Sequence, residues 1–145
     1  MAPVTRALPA VVLALGAIVL TTGAAAPEPK VPNGSNAPGV HILQAEDHAK
    51  GPACPEGWVC FFRSTDFREQ SIAVLPGTEV PDIARVTFPN GKTLKESVSA
   101  WVNNSPVPYC WYEKTKHEGA KHDMKPFGSE SRVSPNDALA SFKPC

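Results

Sequence analysis

Two histidines and a glutamate fall within one short run, His117-Glu118-Gly119-Ala120-Lys121-His122, the place in this chain where groups able to bind a metal or move a proton lie closest. Zinc peptidases space such residues as H-E-x-x-H. That puts two imidazoles on one helix face, with the glutamate beside them as general base. Here the second imidazole comes five residues after the first. On a helix it would point about 140° away, and Gly119 weakens any helix at this point. The spacing argues against a catalytic zinc site, and the run reads as polar residues at a solvated turn. Other catalytic settings are absent too. There is no G-x-S-x-G nucleophile setting, and the carboxylates show no spacing that pairs them. The chain reads as a non-enzyme without a cofactor.

The elements that would hold these residues begin with targeting. Met1 to Arg6 is a short, positively charged start, followed by the apolar run Ala7 to Leu20 and the small residues Thr21 to Ala26. This pattern predicts a secretory signal peptide over residues 1–25, cut between Ala24 and Ala26. The apolar run is shorter than the roughly 20 residues a bilayer requires, so no membrane anchor is expected after cleavage. Residues 26–53 are rich in proline and glycine and read as a flexible leader or pro-segment. His41 and His48 lie in it, His41-Ile42-Leu43 is its one apolar patch, and Asn33-Gly34-Ser35 matches a glycosylation sequon.

The cysteines agree with export. Cys54, Cys60, Cys110 and Cys145 are an even set in a small exported domain, which reads as a disulfide framework. Of the three pairings available, the favoured one joins Cys54 to Cys60 as a local clasp and Cys110 to Cys145 as a staple on the C-terminal segment. Formal net charge is +0, with 14 basic and 14 acidic residues, so neither nucleic acid nor an anionic membrane is implied as partner.

The folded unit is expected over residues 54–145, as an all-β domain of short strands. Val59 to Phe62, Ser71 to Leu75 and Tyr109 to Tyr112 are apolar or aromatic runs bounded by turn residues. Arg85 to Phe88 and Thr93-Leu94 flank Pro89-Asn90-Gly91-Lys92, whose Asn-Gly signals a hairpin. Ser97 to Val102 predicts a strand with Val98, Ala100 and Val102 on one side and Trp101 on the other. Ala138 to Phe142 predicts a last strand or a short turn.

The domain also repeats itself. Cys60-Phe61-Phe62 and Thr65 meet Cys110-Trp111-Tyr112 and Thr115 fifty residues later, and Pro76 meets Pro126 at the same offset. Lys95 to Trp101 and Asn136 to Phe142 end the halves alike. Each half resembles a βγ-crystallin Greek-key motif, with its aromatic, four residues, aromatic, one residue and glycine. Tyr112, His117 and Gly119 fit that signature with histidine in the second aromatic place. Phe62, Phe67 and Glu69 fit it with glutamate in the glycine place.

Together with the opening Cys54-Pro55-Glu56-Gly57-Trp58-Val59-Cys60, the chain is similar to secreted bacterial peptidase inhibitors related to the Streptomyces metalloproteinase inhibitor. That resemblance implies a disulfide-stabilised βγ-crystallin-like sandwich of two Greek keys. It also implies a secreted inhibitor of metalloproteinases that presents a rigid loop to the cleft of an extracellular protease. In that relative the reactive loop lies on a disulfide-constrained segment of the second half, whereas here Cys110 and Cys145 are far apart. The exposed, proline-restricted stretch Asn103, Asn104, Ser105, Pro106, Val107 and Pro108 is one candidate loop, and Lys125 to Val133 is another. Crystallin motifs can bind calcium through a stretch resembling [ND]-[ND]-x-x-[ST]-S. Asn136, Asp137 and Ser141 keep three of its positions, but Ala140 replaces a hydroxyl and Lys95 spoils the matching stretch. No metal is therefore expected. The competing expectation is a non-inhibitory extracellular binding or structural module of the same fold.

Overall fold

Val59-Cys60-Phe61-Phe62 and Ser71-Ile72-Ala73-Val74 are buried at every position, which requires strands covered on both faces. The computed structural model describes residues 37–43, 53–87 and 91–145 and shows how that cover arises. Its strands are β1 (Val40–Leu43), β2 (Val59–Phe62), β3 (Ser71–Val74), β4 (Ala100–Asn103), β5 (Tyr109–Tyr112), β6 (Lys121–Met124), β7 (Gly128–Glu130) and β8 (Ser141–Pro144). One antiparallel sheet runs β1-β3-β2-β4-β7 and the other β6-β5-β8.

Alternation sends Val40, Ile42, Val59, Phe61, Ile72, Val74 and Trp101 to the inner face of the first sheet. There they meet Tyr109, Trp111, Met124 and Phe142 from the second, with the Phe61 and Phe142 rings 4.5 Å apart. The opposite face of the first sheet carries Leu43, Cys60, Phe62, Ala73 and Ala100, packed under Cys54, Trp58, Phe67 and Val102.

The halves also trade strands. From the second half, β7 pairs with β4 of the first, setting Trp101 opposite Glu130 and Asn103 opposite Gly128. In return Val80 bridges to Phe142 in the second sheet through hydrogen bonds of 2.9 and 3.0 Å. Neither half closes its own sheet, so each is completed by the other.

Several expectations change. The leader expected over 26–53 contributes β1, whose Val40 and Ile42 pair with Val74 and Ile72. This strand covers the open edge of β3, and Ile42 is fully buried. The signal peptide, Asn33, His48 and the rest of the leader apart from Ala37–Leu43 and Ala53 lie outside the described residues. The expected strand from Ser97 begins only at Ala100. Alternation does not extend back through residues 97–99, which are outside the strand, so Val98 joins Trp101 in the main core while Ala100 and Val102 face the other way. The hairpin expected around Asn90 leaves, among the described residues, a bridge between Thr87 and Thr93. Arg85 lies instead in a 3-10 turn, Ile83–Arg85, capped by the Asp82 carboxylate. Phe88, Pro89 and Asn90 lie outside the described residues.

The repeat reaches the backbone itself. Asp66, Phe67 and Glu69 have φ of 58°, 59° and 64°, and Lys116, His117 and Gly119 have 58°, 61° and 81°. Phe67 meets Phe62 edge-on at 5.4 Å, and His117 meets Tyr112 edge-on at 5.5 Å. Glu69 thus adopts the glycine conformation, and the first corner keeps its register. Between the halves, the buried Tyr109 hydroxyl lies 3.2 Å from the Leu75 carbonyl and 3.1 Å from that of Thr78, donating between them.

Two outcomes follow for stability. Glu69→Gly relieves a left-handed residue at the cost of glycine's extra chain entropy, and should gain about 0.5–1 kcal/mol in denaturant unfolding. Gly119→Val should lose stability, because its Cβ would lie 3.0 Å from Lys114 Cγ at φ 81°. Burial raises the Tyr109 pKa above its ordinary 10.0, outweighing the hydrogen bonds at Gly77 and Thr78 that lower it. The contribution of this group is complete below pH 10.0 and is lost as pH rises through the folded pKa, because the unfolded chain releases the proton first. The free energy of unfolding measured across alkaline pH should therefore fall more steeply for the wild type than for Tyr109→Phe.

Candidate functional site

The run that opens the chemical question is split between two structures. His117 closes the 3-10 turn Thr115–His117, its side chain 9% exposed and its Nδ1 3.4 Å from Glu79 Oε1. His122 lies on β6 opposite Trp111, stacked on that ring at 3.7 Å, with Nε2 2.9 Å from Glu113 Oε1. The two imidazoles serve separate packing contacts and separate carboxylates. Among the described residues, the grouping of potential metal ligands is Cys110, Asp123 and Cys145. Its two sulfurs are bonded to each other, which removes them as thiolate ligands.

The calcium candidates are likewise engaged in the fold. Exposed Asn136 donates from Nδ2 to Asp137 Oδ2 at 2.6 Å. Asp137 accepts from Ser99 Oγ at 3.4 Å and donates its N–H to the Val98 carbonyl at 3.2 Å, tying its turn to the first half. Ser141 is fully buried. Its hydroxyl donates to the Lys114 carbonyl at 2.6 Å and accepts from the His117 N–H at 3.0 Å, pinning the second corner.

The linker Asn103 to Pro108 differs from the exposed loop expected. Asn103 and Ser105 are fully buried, Asn104 and Val107 are half-buried, and Pro106 and Pro108 are exposed. Asn103 ends β4 facing the core, where an amide must find partners. Its Nδ2 donates to the Val107 and Met124 carbonyls at 2.9 and 3.1 Å. Its Oδ1 accepts from Ser105 N–H at 3.2 Å and from Ser105 Oγ at 2.8 Å.

Both ends of the linker are held by disulfide segments. Asn104 donates from Nδ2 to the Cys54 carbonyl at 3.1 Å and from N–H to the Trp58 carbonyl at 2.9 Å, and accepts from Gly57 N–H at 2.7 Å. Cys54 is bonded to Cys60. At the other end, Cys145 N–H donates to the Pro108 carbonyl at 2.9 Å, and Cys145 is bonded to Cys110. A constrained segment therefore exists even though no short disulfide loop encloses it. Sequence spacing alone hides this, because the two bridges converge only through the pairing of strands.

The second candidate stretch contains β7 and Phe127, which is 69% exposed. Trp101 Nε1 donates to Glu130 Oε2 at 2.9 Å and fixes the strand, while Val133 is buried. Phe127 was hidden inside a long candidate stretch. The signal that finds it is the alignment of Pro126-Phe127 with Pro76-Gly77.

Known proteins agree with this architecture. The profile of peptidase inhibitor family I36 matches residues 48–123. A solved structure concerning the evolution of the eye-lens βγ-crystallin domain fold superposes with a TM-score of 0.55 at 16% identity, covering 73% of this chain and 96% of that one. A βγ-crystallin from an archaeon gives a TM-score of 0.50 at 20% identity, covering 63% and 100%. One from Ciona intestinalis gives 0.50 at 17% identity, covering 61% and 100%. No curated protein matches the chain in sequence. At these identities the solved structures speak for the fold alone.

The His122 ring covers one face of the buried Trp111, so its removal bears on packing. His122→Ala should lower stability by about 1–2 kcal/mol in denaturant unfolding. Added zinc should leave the unfolding temperature of the wild type unchanged.

Proposed function

Because this chain belongs to peptidase inhibitor family I36, we propose that it inhibits an extracellular peptidase, a metalloproteinase by class, by holding the linker Asn104 to Pro108 in the enzyme's cleft. The observation that carries this reading is the bracketing of the linker. One end is bonded to the Cys54–Cys60 clasp and the other to the Cys110–Cys145 staple, with Asn103 filling the space beneath. Pro106 and Pro108 fix φ at the exposed positions. A segment already held in one shape loses little conformational entropy on binding, and a cut segment would stay in place. The peptidase supplies its own metal or nucleophile, so the inhibitor needs no catalytic group.

The signal-peptide-like start, residues 1–25, supports action outside the cell, as does the pair of disulfides. Residues 26–36 would then tether or precede the folded unit. Near-zero net charge suits recognition by shape rather than by long-range steering.

The test is titration of oxidised protein against thermolysin-like, subtilisin-like and trypsin-like peptidases. Tight stoichiometric inhibition of the metalloproteinase is expected, with loss of inhibition after both disulfides are reduced. Absence of inhibition across the panel would favour a non-inhibitory module instead.

A further inference from the structure

Besides Glu69 in the place of Gly119, the repeat holds a second exchange that the fold makes costly. In the first half, Leu75-Pro76-Gly77-Thr78 forms a turn closed by Thr78 N–H donating to the Leu75 carbonyl at 3.0 Å, with Gly77 at φ 89°. Fifty residues later, Lys125-Pro126-Phe127-Gly128 forms the same turn. Gly128 N–H donates to the Lys125 carbonyl at 3.1 Å, and Phe127 takes φ 55°. Proline followed by a residue of positive φ is the type II pattern, whose third position favours glycine. A phenylalanine there is strained by its Cβ.

Among the described residues, no packing of the ring into either apolar cluster offsets that strain. Phe127 is 69% exposed, against 39% for Leu75, and it belongs to neither apolar cluster. A backbone conformation unfavourable to the residue, carrying an aromatic ring into water, marks a position shaped for contact rather than for stability. The turn is also locked to the linker. Phe127 N–H donates to the Ser105 carbonyl at 3.3 Å, and Asn103 Nδ2 bonds both the Met124 carbonyl just before the turn and the Val107 carbonyl of the linker.

We propose that Phe127 is a second contact element of the inhibitory surface, an aromatic anchor that enters an apolar subsite of the peptidase while the linker occupies the cleft. The proposal rests on the inhibitor reading above. Its occupant is a peptidase with an apolar pocket beside its reacting groups, wide enough for a phenyl ring. A ring on two rotatable bonds, carried by a proline-fixed turn, has little freedom to lose on burial. The fixed frame of Ser105 and Phe127 lets one rigid body present both elements.

The test compares wild type, Phe127→Gly and Phe127→Leu as oxidised full chains, by inhibition constant against the same peptidases and by thermal unfolding. Phe127→Gly should unfold at the same or a higher temperature, since glycine suits the turn, yet inhibit at least about thirtyfold more weakly. Phe127→Leu should retain most of the inhibition. Undiminished inhibition by Phe127→Gly overturns the anchor while leaving the inhibitor reading intact. Weaker inhibition with a lower unfolding temperature makes Phe127 a structural residue and overturns it as well. A wild type that inhibits none of the peptidases removes the inhibitor reading and the anchor together.

Discussion

A buried amide must satisfy both its donors and its acceptor, and at Asn103 that requirement organises the junction of the two halves. Its Nδ2 reaches Val107 and Met124, and its Oδ1 receives both donors of Ser105. These bonds join the end of β4, the linker and the strand leading to the exposed turn. An unsatisfied amide here would cost about 1–3 kcal/mol for each stranded group. The linker is therefore as fixed as the sheets beside it. Each disulfide then adds a hydrogen-bonded hold on one of its ends, Cys54 through Asn104 and Cys145 through Pro108.

Exchange of strands gives the same junction its breadth. With β7 paired to β4 and Val80 bridged to Phe142, neither half can separate without opening a sheet. Tyr109 adds a polar tie across the boundary, its hydroxyl set between the Leu75 and Thr78 carbonyls. The turn it holds is the first-half counterpart of the turn that carries Phe127, so the pseudo-symmetric positions differ in use. Both turns lie at the surface, and the first is built around Gly77 with no ring to present. The other exposes an aromatic ring.

Local strain is distributed by the repeat and not at random. Both corners place three residues at positive φ at matching positions, whatever their type, because edge-on packing of Phe67 on Phe62 and of His117 on Tyr112 holds the bend. Glu69 takes the conformation that Gly119 takes easily. Tertiary packing overrides the local preference of a single residue when the neighbouring aromatics fix the path of the chain. That is why a histidine and a glutamate, which resembled catalytic residues or defects, occupy ordinary corner positions.

The sequence by itself determined the class of the fold. Short apolar runs between turn residues, a fifty-residue repeat of aromatic pairs and an even cysteine set belong to strands, Greek keys and bridges, because side-chain period and turn chemistry are local properties. It also identified the Asn103 to Pro108 stretch as restricted, since proline acts on its own backbone. Tertiary structure alone decided which of those residues face outward. Asn103 and Ser105 read as exposed polar residues until the paired strands surround them with carbonyls and donors. The strands β1 and β7 were missed for the same reason. Val40–Leu43 is a short apolar patch inside a proline- and glycine-rich stretch and Gly128–Glu130 carries little strand signal of its own, and each pairs with an edge that would otherwise be open, β3 and β4. Hydrogen-bond satisfaction is a property of neighbours distant in sequence, and no local pattern records it.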